Sequence, residues 1–233
     1  MSMIGNFKRV SPRLMTALIG EPSMVRAVIE FGGDSIETGA GPFSIPSNVK
    51  KTMDALPEDQ RDAFYKSLSD EWEKMMSDPR AALIAGASQD RKAGGRSALE
   101  NAGFTEEDMA PDISIEKAWH GLHFLLCGGF DPDLSPLGRA ILGGTEIGDD
   151  MGYGPARYLS AEEVKTVAAA LNGLTDDELK SRYNADEMSK LKLYPGGWDD
   201  LENIEWLLAA ARDVRQYYRD AADRGFAMLL YLT

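Results

Sequence analysis

Both histidines of this chain and its one cysteine fall in a single run, Trp119-His120-Gly121-Leu122-His123-Phe124-Leu125-Leu126-Cys127. On a helix, His120, His123 and Cys127 stand at i, i+3 and i+7 and share one stripe. Two imidazoles one turn apart can share a metal ion, as the related i, i+4 pair does. All three groups cannot. Seven residues at ~1.5 Å each set His120 and Cys127 about 10 Å apart along the axis, whereas donors on one metal lie roughly 3–4 Å apart. A metal would take one adjacent pair and recruit acids from elsewhere, with Glu146, Asp149 and Asp150 the nearest candidates in the chain. His123 and Cys127 are also spaced for a thiolate–imidazole contact, though apolar surroundings oppose a reactive thiolate. The same run reads more strongly as core. It carries no charge from Ala118 to Cys127, and Trp119, Leu122, Phe124, Leu125 and Leu126 cover most of its circumference. A helix apolar all round is buried, its histidines neutral and hydrogen-bonded. No metal and no cofactor is therefore expected, and His120, His123, Glu146 and Asp149 are the residues that would overturn this.

A second concentration of special residues lies between Leu142 and Pro155, where Gly143, Gly144, Gly148, Gly152 and Gly154 recur. No G-x-G-x-x-G joins a strand to a helix there and no Gly-Lys-Ser/Thr is present, so neither a dinucleotide nor a P-loop site is indicated. The glycines read as turn residues flanking short strands. Tyr153, Arg157 and Tyr158 border this loop and could bind an anion or a planar group. With Trp119, His120 and His123 they form the candidate binding set. No G-x-S-x-G elbow occurs. Without a complete catalytic constellation, the chain leans away from being an enzyme.

The elements that must position these residues are legible from local signals. Met3 to Val10 reads as a strand. Ser11-Pro12 starts a helix, with serine as N-cap and proline at the first helical position. A second helical piece runs from Met24 to Phe31. A helix is expected from Pro57 to Met76, and Gly86 to Ser97 reads as a flexible segment. Ser114 is placed to cap the helix that carries the histidines, and Gly128-Gly129 ends it. Ser160-Ala161-Glu162-Glu163 and Thr175-Asp176-Asp177-Glu178 are capping boxes. Leu193-Tyr194-Pro195-Gly196-Gly197 is a turn. Asp199 to Arg224 reads as the longest helix, with its acids near the start and its arginines near the end, as the helix dipole prefers. Phe226 to Leu232 reads as a buried strand. Strands at both ends with helices between predict a helix-rich α+β domain whose terminal strands share a small sheet. The absence of β-α-β alternation disfavours a doubly wound fold.

The net charge of −13 narrows the partners. Residues 1–33 carry +2, residues 34–110 carry −6 and residues 111–233 carry −9, so the acidity is spread over the body. Such a field repels phosphate backbones and anionic membranes, which argues against nucleic-acid and membrane binding, and attracts basic proteins. One cysteine in a chain with no signal peptide suits the cytoplasm. No window approaches the ~18 apolar residues of a membrane span.

Several segments together resemble the bacterial YfbM-like family. They are Met3-Ile4-Gly5-Asn6-Phe7, the run from Lys117 to Gly128, Pro136-Leu137-Gly138-Arg139-Ala140-Ile141-Leu142-Gly143, Tyr194-Pro195-Gly196 and the apolar C-terminal strand. The family is of unknown function, so the resemblance implies a compact α+β fold and no catalytic residues. The family's pattern is closer to W-x-x-L-H-F, which favours Trp119 and His123 over His120 and Cys127. Residues 34–110 look like a helical insertion relative to shorter members, within a single domain spanning 1–233. The resulting expectation is a non-enzymatic acidic binding protein, of immunity type if it neutralises a basic toxin, with a homo-oligomer also open. The alternative is a metal-dependent or acid–base enzyme centred on His123 beside the glycine-rich loop.

Overall fold

A computed structural model of the chain describes residues 3–31, 97–109, 111–129, 134–200 and 202–233, together with Pro57 and Gly95. The two chain ends pair. Strand β1 (Gly5–Val10) runs antiparallel to β5 (Ala227–Leu232) over six residues, from Gly5 opposite Leu232 to Val10 opposite Ala227. A two-residue strand β2 (Ile113–Ser114) pairs with the outer side of β1, and a hairpin of β3 (Thr145–Asp150) and β4 (Pro155–Leu159) pairs with the outer side of β5. The order β2-β1-β5-β4-β3 makes a five-stranded antiparallel sheet. As expected, this is a helix-rich α+β domain whose terminal strands share the sheet.

The sheet is covered on both faces, which is why β5 is almost wholly apolar. Met228 and Leu230 of β5 face one core cluster, while Ala227, Leu229 and Tyr231 face another. The first cluster is built by α3 (Trp119–Cys127), α4 (Pro136–Leu142), α5 (Ala161–Asn172), α6 (Asp176–Ser181), α7 (Ala185–Lys190) and α8 (Glu202–Asp223). The second is built by α1 (Pro12–Gly20), α2 (Val25–Phe31) and a helical segment at 97–101. Helices α1 and α2 precede residues 34–110 in the chain, and all of the first cluster's helices follow them.

Local chemistry sets the helix starts. Ser11 accepts from the Leu14 amide at 3.1 Å with Pro12 behind it. Ser160 and Glu163 form one reciprocal capping box, and Thr175 and Glu178 form the other. Each satisfies amides that the first helical turn leaves unpaired. Gly128 takes the left-handed conformation at φ 71° and ends α3.

Four readings of the sequence need correction. Ser114 is a strand residue, and α3 is entered through a 3-10 turn (Glu116–Ala118) with no side-chain cap. The Ser114 hydroxyl instead accepts from the Glu116 amide at 3.2 Å. The long helix starts at Glu202, because the Asp200 carboxylate accepts the Glu202 amide at 2.9 Å and so serves as the stop before it. It ends at Asp223, and its last turn holds no basic residue. The C-terminal end of the supposed flexible run is helix: Gly95 and residues 97–101 are helical, with Leu99 buried in the second cluster. The helix expected from Pro57 to Met76 and most of 34–110 lie outside the described residues.

Candidate functional site

The six candidate residues divide into three settings. His120 and His123 belong to α3, whose residues Trp119 to Leu126 are all buried. The His120 ring lies flat against the Trp119 indole, with centroids 4.6 Å apart and planes 2° from parallel. Its Nδ1 accepts the Tyr194 amide at 3.1 Å. That bond requires an unprotonated Nδ1, so His120 is neutral with its proton on Nε2. Burial, and secondarily the neighbouring His123, lowers its pKa from 6.5 to about 4. His123 is fully buried, its Nε2 3.4 Å from the half-buried Cys127 Sγ, which also lies 3.2 Å from the His123 carbonyl. Among the described residues no group of three or more histidines, cysteines and acids is placed to hold a metal ion. Glu146 is instead 2.6 Å from the Arg157 guanidinium.

Trp119, Tyr153 and Arg157 come together although more than thirty residues of chain separate the first from the others. They line a shallow groove whose floor is Phe7, Ile141 and Leu230. Each wall has a cause in the sequence. The Trp119 indole sits on β1 only because residue 5 is glycine, since a Cβ there would lie 2.7 Å from Trp119 Cβ. The indole is fixed by its Nε1 donating to the Met3 carbonyl at 3.2 Å. Tyr153 stands on the tip of the β3–β4 hairpin. There one Asp150 carboxylate oxygen accepts from the Gly152 amide at 2.6 Å and the Gly154 amide at 3.2 Å. Both glycines have positive φ, 112° and 97°, which that tight tip demands. Arg157 is held at the rim by Glu146 and by the Gly144 carbonyl at 3.3 Å. The groove is open to solvent and has a volume of about 60 Å³. A small-molecule pocket spans ~300–1,000 Å³, so this groove suits a single side chain rather than a nucleotide. Tyr158 alternates to the opposite face and packs on the second cluster.

Two features were missed by sequence reasoning. The Lys8 side chain is fully buried and pairs with Asp112 at 2.5 Å, and Tyr231 donates to the other Asp112 oxygen. Burial lowers the Lys8 pKa against the pull of Asp112, and raises that of Asp112 against the pull of Lys8. The signal was available once β1 and β5 were paired antiparallel: Asn6 stands opposite Tyr231, so Lys8 and Tyr231 share a face diagonally. Arg182 is the second. Its Nη1 donates to the Leu125 and Leu126 carbonyls, each at 3.0 Å, and closes the C-terminal end of α3.

Residues 1–231 match the family described as a domain of unknown function, DUF1877. The chain belongs to this family. It is also similar to the crystal structure of a protein of unknown function, YfbM, from Escherichia coli, with a TM-score of 0.52 and 17% identity over 99% of each chain. That likeness is one of fold. A comparison with curated proteins gives no match. No helix among the described residues is long and apolar enough to cross a membrane.

Proposed function

We propose that this family member is a non-enzymatic binding protein that docks a basic protein partner, in an immunity-type role where that partner is a toxin. The observation that carries the reading is the charge on the surface beyond α5. From Thr175 to Glu205 nine acids face four bases. Asp177, Asp186, Asp199, Asp200 and Glu202 are all exposed there. Three acids of this region find cations: Asp176 with Arg212 at 2.8 Å, Glu205 with Lys180 at 2.9 Å and Glu187 with Lys190 at 3.8 Å. Complementary charge of this kind raises the rate of encounter and selects the partner's sign. The same reading takes residues 34–110 as an insertion into one domain spanning 1–233, its −6 adding to the net negative charge of the chain, and places the protein in the cytoplasm.

The competing reading is an acid–base or metal-dependent enzyme centred on His123. The Cys127–His123 contact favours it, and the full burial of the ring counts against it. Native mass spectrometry on the tagged protein, purified gently from its host, separates the two. The binding reading expects a stoichiometric basic protein whose affinity falls steeply with salt and is lost when Asp199 and Asp200 are changed to lysine. A metal or small-molecule adduct that disappears with His123→Ala would overturn it.

A further inference from the structure

We propose that the groove between Trp119, Tyr153 and Arg157 receives one apolar side chain carried on a basic segment of the partner. The inference rests on the binding reading above and adds the place and the chemistry of contact. The floor is apolar and the volume of about 60 Å³ fits the tip of an aliphatic side chain. Tyr153, at 36% exposure, is one of three large hydrophobic residues left open among the described residues. It projects from a hairpin tip tied by Asp150 to two amides and by the Met151 amide to the Gly154 carbonyl at 2.9 Å. A wall fixed before binding loses little entropy when it is covered.

Charge decides what surrounds the anchor. Arg157 is matched by Glu146 at 2.6 Å. Asp149 and Asp150 remain exposed on the same hairpin as Tyr153, without an ion pair among the described residues. Lysine or arginine flanking the anchor would meet them, and an acidic segment would be repelled. A second copy of the chain would bring the same acids against one another on a body of charge −13, so the occupant is a different, basic protein. An apolar anchor in a pocket with a complementary charged rim is the arrangement that concentrates binding energy in few residues.

The test uses the full-length, isotope-labelled protein and three end-blocked pentapeptides. One has leucine between two pairs of lysines, the second has alanine in its place, and the third has leucine between two pairs of glutamates. Amide and indole shifts are followed by NMR. The leucine–lysine peptide is expected to shift the Trp119 indole and the Tyr153 and Arg157 amides. Its affinity should fall about fivefold when leucine becomes alanine, from the apolar area lost, and by a similar factor on Tyr153→Ser. That exposed substitution should leave the melting temperature unchanged. Equal affinity for the leucine and alanine peptides, or shifts confined to residues 175–205, would overturn the groove proposal and leave the basic-partner reading standing. Binding of the glutamate peptide in the groove would overturn its charge preference. No shift with either lysine peptide would overturn the groove proposal together with the reading beneath it.

Discussion

His120 should make the fold lose stability in mild acid. In the folded chain its Nδ1 accepts the Tyr194 amide, so protonation must break that bond and place a charge beside the buried Trp119 ring. Its pKa is lowered by burial to about 4 from 6.5. A base with a depressed folded pKa contributes stability that is fully present above the unfolded value and is lost as pH falls towards the folded one. At ~1.36 kcal/mol per unit, the loss approaches ~3 kcal/mol below both values, and ~2 kcal/mol of it arrives by about pH 5. For a chain of this size ~1 kcal/mol moves the melting temperature by roughly 2–4 °C, so a fall of about 4–8 °C between pH 7 and pH 5 follows. Other groups contribute to the pH dependence, and Asp112, its pKa raised by burial, does so with the opposite sign. The measurement is therefore the difference between the wild type and His120→Asn, whose side-chain oxygen can still accept the Tyr194 amide. Thermal unfolding of both from pH 7 to pH 4 should converge as the solution is acidified. With two histidines in the chain, the imidazole proton signals also give the folded pKa directly. A His120 ring that titrates near 6.5 in the folded protein, or a difference curve flat over this interval, would refute the reasoning.

Three further outcomes follow from packing and pairing. Lys8→Met strands the Asp112 carboxylate under β1 and should destabilise by ~3–5 kcal/mol, whereas adding Asp112→Asn should restore much of the loss, read by urea unfolding. Gly121→Ala puts a Cβ 2.5 Å from the Trp198 ring and 3.1 Å from Leu207, so overpacking of ~1–3 kcal/mol should appear as a lower melting temperature with unchanged far-UV spectrum. Ser160→Ala removes the side-chain half of the α5 capping box and should lower stability by ~1 kcal/mol, with Ser160→Asn restoring most of it.

What was legible in the sequence was local or periodic. Capping pairs three residues apart announce helix starts because both partners sit in one turn, and the starts at Ser11, Ser160 and Thr175 fall where those signals put them. The apolar C-terminal end announced itself as a strand because a strand covered on both faces leaves no room for polar alternation. Where the reading slipped, a competing local bond had the same residue types. Ser114 accepts an amide two residues on, in place of capping a helix. The aspartates at 199 and 200, read as helix, lie before it. The groove was out of reach for a different reason. Trp119, Tyr153 and Arg157 were each singled out, but only the pairing of β4 with β5 and of β5 with β1 sets them around one space.

The histidines carry the same lesson about what residue type can mean. Their helix is charge-free because it is buried in the first core cluster, with Gly121 letting Trp198 and Leu207 approach its backbone. In that position an imidazole is selected for what it offers while neutral: a flat ring to stack on Trp119 and a nitrogen to take the Tyr194 amide. The second use anchors the turn at Tyr194, whose hydroxyl in turn accepts the Met3 amide two residues ahead of β1. His120 thus ties α3 to the 193–197 turn, and that turn to the N-terminal end of the sheet. Under the proposed binding role, contact with a partner falls to exposed groups, among them the hairpin tip around Tyr153 and the acids from 175 to 205. Removing His120 should therefore move stability and its pH dependence, whereas removing Tyr153 should move binding alone.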